Sequence, residues 1–267
     1  MSLAAQLIER HFAVVRGELA IGGVPVSRLA EEHGTPLFAY DASVLEKKWS
    51  NLRRALPRQV EIYYSVKANP CPSIVRKFLS LGCGLEIASG GELYLALQSG
   101  CSPDRIVFAG PGKRDSEIRE FVEAGGGEIH VESLIEAQRL IAAAEALGKE
   151  VSAAVRINPG SEVQGGAMRM GGKPAPFGID EEEMGALIEA LRSSTLVRVS
   201  GVHIFAGTQI LDAAVLDAQY AKCIDLARAM SRVLKRPIVT VDFGGGLGIP
   251  YFEGDPELDL DAYGRNV

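Results

Sequence analysis

No apolar run in this chain approaches the roughly 20 residues that a membrane-crossing helix needs, and the first dozen residues, Met1 to Phe12, read as a charged amphipathic stretch rather than a signal peptide. Basic charge is scarce: 28 lysines and arginines stand against 34 aspartates and glutamates, for a net charge of -6. With no basic stripe, that balance excludes a general nucleic-acid binder. Only four cysteines occur (Cys71, Cys83, Cys101, Cys223), and none form a CxxC pair. A structural zinc site or a disulfide framework is therefore not expected, and a reducing cytoplasm fits. Four scattered histidines give no local metal-ligand spacing, so no metal is expected. A glycine-rich phosphate turn after the first core strand is missing too, since that turn reads Lys67-Ala68-Asn69-Pro70. This argues against an open doubly wound nucleotide-binding sheet.

What the chain has in quantity is glycine, 30 residues in a sequence that is 47% hydrophobic, which suits many tight strand-to-helix turns. Apolar β-like runs recur at Ile62–Val66, Leu85–Ala88, Ile106–Ala109, Ile129–Val131, Val151–Ile157, Val199–Phe205 and Val239–Phe243. Helical patterns lie between most of them: Pro72–Leu81, Gly91–Ser99, Ser133–Leu147 and Leu211–Leu234. Strands buried on both faces and alternating with helices mean a parallel sheet. The twenty-odd-residue recurrence of the first five favours a (β/α)8 barrel. Seven barrel strands are counted, so the sequence reads as a barrel cut before its last strand, which would leave an open seam. Short β candidates at Val14–Val15, Leu19–Ile21 and Leu37–Tyr40 lack βα spacing. They suit a separate β structure, which divides the chain into an N-terminal segment, 1–40, and a barrel, 41–267. The insertion from Pro159 to Ile179, rich in glycine and proline, follows a barrel strand and is expected to be a substrate loop on the catalytic face.

Chemistry concentrates where those strands end. Lys67 closes an apolar run in Tyr63-Tyr64-Ser65-Val66-Lys67-Ala68-Asn69. A desolvated lysine amine there can attack an aldehyde; the plainer reading of this run alone is a strand-end lysine in solvent. The other strand ends present Glu86, Ser89, Gly110, Glu132, Arg156, His203, Phe205, Thr208 and the triplet Gly244-Gly245-Gly246. Consecutive glycines offer backbone N–H groups to a phosphate with no Cβ in the way. A lysine and an anion-binding turn on one rim together suit a phosphorylated aldehyde, which means pyridoxal phosphate.

The segments YSVKAN (64–69), LEIASGGEL (85–93), IVFAGPGK (106–113), VES (131–133), VRINP (155–159), GVHIFAGTQ (201–209) and DFGGGLGIP (242–250) resemble, in order and spacing, the fold-type III pyridoxal-phosphate decarboxylases. This is the group of diaminopimelate, ornithine and arginine decarboxylases, and the match is strongest to the diaminopimelate branch. The resemblance implies a barrel of the alanine racemase-like type, with residues 1–40 contributing to a β domain whose C-terminal portion this chain lacks. It implies decarboxylation of an amino acid at Cα, lysine biosynthesis as a setting, and a head-to-tail homodimer with shared sites. Lys67 would form the imine with pyridoxal 5'-phosphate and Arg156 would approach its phenolic oxygen. Thr208 stands where the family has a serine that contacts the cofactor, and Gly244, Gly245 and Gly246 would bind its phosphate. Glu86 matches an acid beside the lysine; its plainer reading is an ion pair, and the two are compatible. Glu92 matches a second acidic position.

Three departures qualify the match. Phe205 replaces the histidine that stacks on the ring, while His203 matches a second histidine two residues earlier and is either a site residue or a satisfied core residue. The acid that meets the pyridine nitrogen is missing, because Gly264-Arg265 is a poor match. The C-terminal β domain is missing as well. Residues 1–267 alone are therefore expected to have little or no decarboxylase activity. The stretch Arg169–Asp180 and Gly207-Thr208-Gln209 resemble a side branch that includes decarboxylases of carrier-protein-tethered glutamate, so an acyl-carrier protein is an alternative partner. A non-catalytic pyridoxal-phosphate-binding protein is a third reading, and alanine-racemase-like activity fits less well.

Overall fold

The computed structural model describes residues 2–158, 168–169, 176–205 and 207–266. Seven parallel strands form one continuous sheet: β1 (Tyr63–Ser65), β2 (Gly84–Ile87), β3 (Ile106–Phe108), β4 (Glu128–Val131), β5 (Val151–Asn158), β6 (Val197–His203) and β7 (Thr240–Asp242). They lie in sequence order, each paired with the next. Between them run the helices α1 (Pro72–Ser80), α2 (Gly90–Gln98), α3 (Asp115–Ala124), α4 (Leu134–Leu147), α5 (Met184–Leu191) and α6 (Ala213–Leu234), and α7 (Leu260–Asn266) follows β7. This is the expected seven-strand β/α order. Two helices absent from the sequence reading, α3 and α5, complete the alternation.

The faces of the sheet differ more than the sequence suggests. Leu85, Ile87, Ile129, Val131, Val155, Ile157 and Val202 join the apolar core beneath the helices, with Phe108 and Phe121 at its centre. Because strand side chains alternate, their neighbours Glu86, Glu128, His130, Arg156 and Asp242 occupy the opposite face. These strands are buried on both faces, as expected, but the inner face is polar.

Local chemistry fixes the turns. Ser89 and Ser133 cap α2 and α4, their Oγ atoms accepting from Glu92 N (3.2 Å) and Glu136 N (3.1 Å). Each glutamate reaches back, Glu92 to Ala88 N and Glu136 to Glu132 N, both at 2.6 Å. These are reciprocal caps that hold the preceding strand end in place. At α3, Glu117 accepts from Arg114 N (2.9 Å) and from Gly90 N of the neighbouring unit (2.8 Å). Its hydrogen bond from the Arg114 side chain, together with those backbone donors, lowers its pKa to about 2. A carboxylate depressed in the fold stabilises it fully above its unfolded pKa near ~4.3 and loses that contribution as pH falls toward the folded value. Glu117→Gln is therefore expected to flatten the loss of stability between about pH 4 and pH 2, read by urea titration across that range.

At the N-terminus, Ala13–Val15, Glu18–Ile21 and Val24–Pro25 form a small antiparallel sheet, which includes two of the expected β candidates. The third, Leu37–Tyr40, is not a strand. No described strand pairs with it, and an extended segment without a ladder partner leaves its backbone groups to water. Leu37, Phe38 and Tyr40 are exposed there. Most of the 159–179 insertion lies outside the described residues, as does the question of its role as a substrate loop. Its described parts pair Met168–Arg169 with Gly207–Thr208 and add Ile179–Asp180 beside β5. No described helix is long and apolar enough to cross a membrane.

Candidate active site

The chain leaves β1 through a single 3-10 turn, Val66–Ala68, which places Lys67 at the rim. Its Nζ lies 3.3 Å from Glu86 Oε1 at the end of β2, and Ser65 Oγ donates to the same oxygen at 3.3 Å. The side chain of Lys67 is 65% exposed, so the desolvation anticipated for this amine is not supplied by the protein alone. The ion pair with Glu86 is present as anticipated.

Across the rim a buried network aims Arg156. Glu132, at the end of β4, takes three donors: Gly110 N (2.6 Å) and Arg156 Nη1 (3.1 Å) on Oε1, and Gly178 N (2.9 Å) on Oε2. The guanidinium lies over the Phe177 ring, 4.9 Å from its centroid. Below it, the fully buried Lys113 Nζ donates to Gly110 O (2.7 Å), His130 O (2.6 Å) and Glu136 Oε1 (2.8 Å). Burial pushes the Glu136 carboxyl up against the pull of Lys113. Lys113 and Glu136 were not singled out as site residues. The signal available was the Ser133-x-x-Glu136 spacing, which predicts a cap but not a buried lysine partner. Glu92, expected at an acidic site position, caps α2.

The glycine turn follows β7. Gly244 and Gly246 have φ of +68° and +88°. A Cβ on Gly244 would lie 2.8 Å from Ile204 O and 2.9 Å from the Phe205 ring, and one on Gly246 only 2.5 Å from Gly207 O. Only glycine meets both demands. Gly244 N donates to Asp242 Oδ1 at 2.6 Å, whereas the N–H groups of Gly245 and Gly246 have no acceptor among the described residues. The turn is braced by Ile210 N to Gly246 O (2.9 Å), by Gly248 N to Ile210 O (2.8 Å), and by the Gln209 amide, which bonds both Ile249 backbone groups. Gln209 sits at φ +59° and is a bracing residue that composition alone does not reveal. Gly246→Ala is expected to raise the dissociation constant for pyridoxal phosphate by about tenfold or more, read by absorbance titration, because left-handed strain and the clash act together.

Phe205 lies beyond the end of β6, and its ring packs against the glycine turn. Thr208 is half-buried in the short strand paired with Met168. His203 is buried with its ring 4.3 Å from that of His130, and its Nδ1 has no hydrogen-bond partner. The arrangement offers an amine beside a carboxylate, an anchored guanidinium, an aromatic face and a turn with two free N–H groups. That set fits an aldehyde that also carries a phosphate.

Residues 42–267 match the family described as pyridoxal-dependent decarboxylase, pyridoxal binding domain. The chain belongs to this family. Its cofactor is pyridoxal 5'-phosphate. Among similar proteins, an L-glutamyl-[BtrI acyl-carrier protein] decarboxylase of Niallia circulans is 34% identical over 91% of this chain and 56% of its own length. The diaminopimelate decarboxylase of Zymomonas mobilis is 32% identical over 96% of this chain and 62% of its own. The crystal structure of diaminopimelate decarboxylase from M. jannaschi superposes with a TM-score of 0.89 at 29% identity, covering 97% of this chain and 62% of that one. The fold is accordingly that family's β/α barrel domain, and the chain spans about three fifths of the length of these relatives.

Proposed function

We propose that the protein removes the α-carboxylate of an amino acid as carbon dioxide, in the manner of diaminopimelate decarboxylases. The observation that carries this reading is the Lys67–Glu86 pair on the same sheet rim as the glycine turn after β7. Bound pyridoxal phosphate supplies the electron sink for the carbanion left by decarboxylation. Lys67 would be the amine that meets the cofactor's aldehyde, and its Nζ would be the group that carries a proton at the rim. Glu86 accepts from that amine and keeps it oriented. Arg156, fixed by Glu132, Phe205, Thr208 and His203 would be the further residues that hold the cofactor. The N–H groups of Gly245 and Gly246 would hold the phosphate, while Gly244 N stays on Asp242 Oδ1 and shapes the turn. A cytoplasmic homodimer, and a division between residues 1–40 and the barrel, belong to the same reading.

A second reading is favoured by the Niallia relative, which is named for a carrier-bound glutamyl substrate, and by the Phe205 and Thr208 positions. Carbon dioxide release by the full-length protein from meso-diaminopimelate and from a glutamyl-carrier protein separates the two. Release from the free diamino acid, lost in Lys67→Ala, is the expected result. Release only from the carrier-bound amino acid selects the second reading. Stoichiometric cofactor binding with no release from either, or from other amino acids, would overturn both and leave a binding protein.

A further inference from the structure

The inner face of the sheet holds a second constellation below the rim. His130 on β4, His203 on β6 and Asp242 on β7 each present one donor atom, and these atoms lie within 4.8 Å of one another. His130 Nε2 stands 3.4 Å from Glu128 Oε1 and 3.7 Å from Asp242 Oδ2. Among the described residues, both His130 nitrogens and His203 Nδ1 are buried without a hydrogen bond. Glu128 uses only its Oε2 toward the Ser200 and Thr240 hydroxyls (2.5 and 2.6 Å), which leaves Oε1 turned to the cluster. Asp242 uses only Oδ1 toward Gly244 N.

The charge inventory is one-sided. Two carboxylates face two imidazoles, and among the described residues neither carboxylate forms an ion pair with a lysine or arginine. The Glu128 side chain is 10% exposed and that of Asp242 32%, so the cost of leaving water, several kcal/mol for a buried anion that no cation meets, falls chiefly on Glu128. A proton on His130 supplies one positive charge for two negative ones and leaves His203 Nδ1 without a partner. One divalent ion neutralises both carboxylates and takes a lone pair from each ring. Two imidazoles and carboxylate oxygen, with no thiolate, form a donor set for zinc-like borderline ions. Tetrahedral ligands at bonds of about 2.0–2.1 Å stand roughly 3.3 Å apart, so donor atoms now within 4.8 Å of one another need to close by up to about 1.5 Å.

We propose that His130, His203 and Asp242, with Glu128 as a fourth donor, bind one divalent transition-metal ion of the zinc class. The ion ties β4, β6 and β7 together. It also fixes the Asp242 carboxylate whose other oxygen holds Gly244, and so braces the base of the glycine turn. The sequence gives no local spacing for this site, because parallel strands bring together residues 112 positions apart (Asp242 less His130).

The test needs neither cofactor nor turnover. Cobalt(II) added to the purified, metal-stripped protein is expected to produce visible d–d bands that saturate at one ion per chain and are displaced by zinc. His130→Asn and His203→Asn are each expected to weaken cobalt binding by more than about 100-fold, beyond the loss of an outer-shell partner. X-ray absorption of the cobalt-loaded wild-type protein, which requires no variant to fold, is expected to show imidazole scattering. Absence of d–d bands in protein with native circular dichroism, bands unchanged in both variants, or a bound ion without imidazole neighbours would each overturn the proposal.

Discussion

Lys113→Met is expected to cost the fold about 3–5 kcal/mol, because it removes one member of a buried ion pair and leaves the other uncompensated. Lys113 Nζ is fully buried and makes three short hydrogen bonds, to Glu136 and to the carbonyls of Gly110 and His130. Methionine fills the stem but offers no donor, so two strand-end carbonyls and a carboxylate lose their partner together. The measurement is the urea midpoint at constant slope. Two further outcomes separate this cause from simple misfit. Pairing Lys113→Met with Glu136→Leu is expected to recover part of the loss, since an apolar pair is tolerated where half of an ion pair is not. In the single variant Glu136 takes up a proton on folding, so stability rises as pH falls toward the ordinary carboxylate range, opposite in sign to the effect of Glu117.

Glu132→Ala is expected to strike both fold and site. One carboxylate, 1% exposed, accepts from Gly110, Arg156 and Gly178. Alanine strands a guanidinium that is itself 10% exposed, together with two backbone donors, at a cost of about 3–5 kcal/mol. Glu132→Gln keeps the shape and an acceptor but loses the charge. It is expected to fold and to weaken pyridoxal phosphate binding by about 10–100-fold, the worth of a charged hydrogen bond. Equal cofactor affinity in Glu132→Gln and the wild type would show that Arg156 does not depend on Glu132 for its position.

The sheet was legible in the sequence because its signal is apolar and periodic. Ile129–Val131 and Val151–Ile157 announce buried strands whatever their partners. Lys67, Glu86 and the glycine triplet were legible because each breaks its strand's pattern where a β/α turn follows. Leu37–Tyr40 shows the limit of this logic. It has strand composition, yet pairing needs a neighbour, and none is present among the described residues. The inner polar face escaped for the converse reason. His130 is flanked by Ile129 and Val131, so a short window reads it as one polar residue in an apolar run, while its partners His203 and Asp242 come from strands far along the chain. The Glu132–Arg156 and Lys113–Glu136 contacts are likewise long-range pairs, which sequence spacing cannot reveal.

The measurement that tests the central claim most directly is borohydride reduction of the wild-type protein with pyridoxal phosphate, followed by peptide mass mapping. The account predicts one phosphopyridoxyl adduct, on the peptide that contains Lys67, with none on that of the buried Lys113. An adduct confined to other lysines, or no adduct on protein that retains its native circular dichroism, would contradict it.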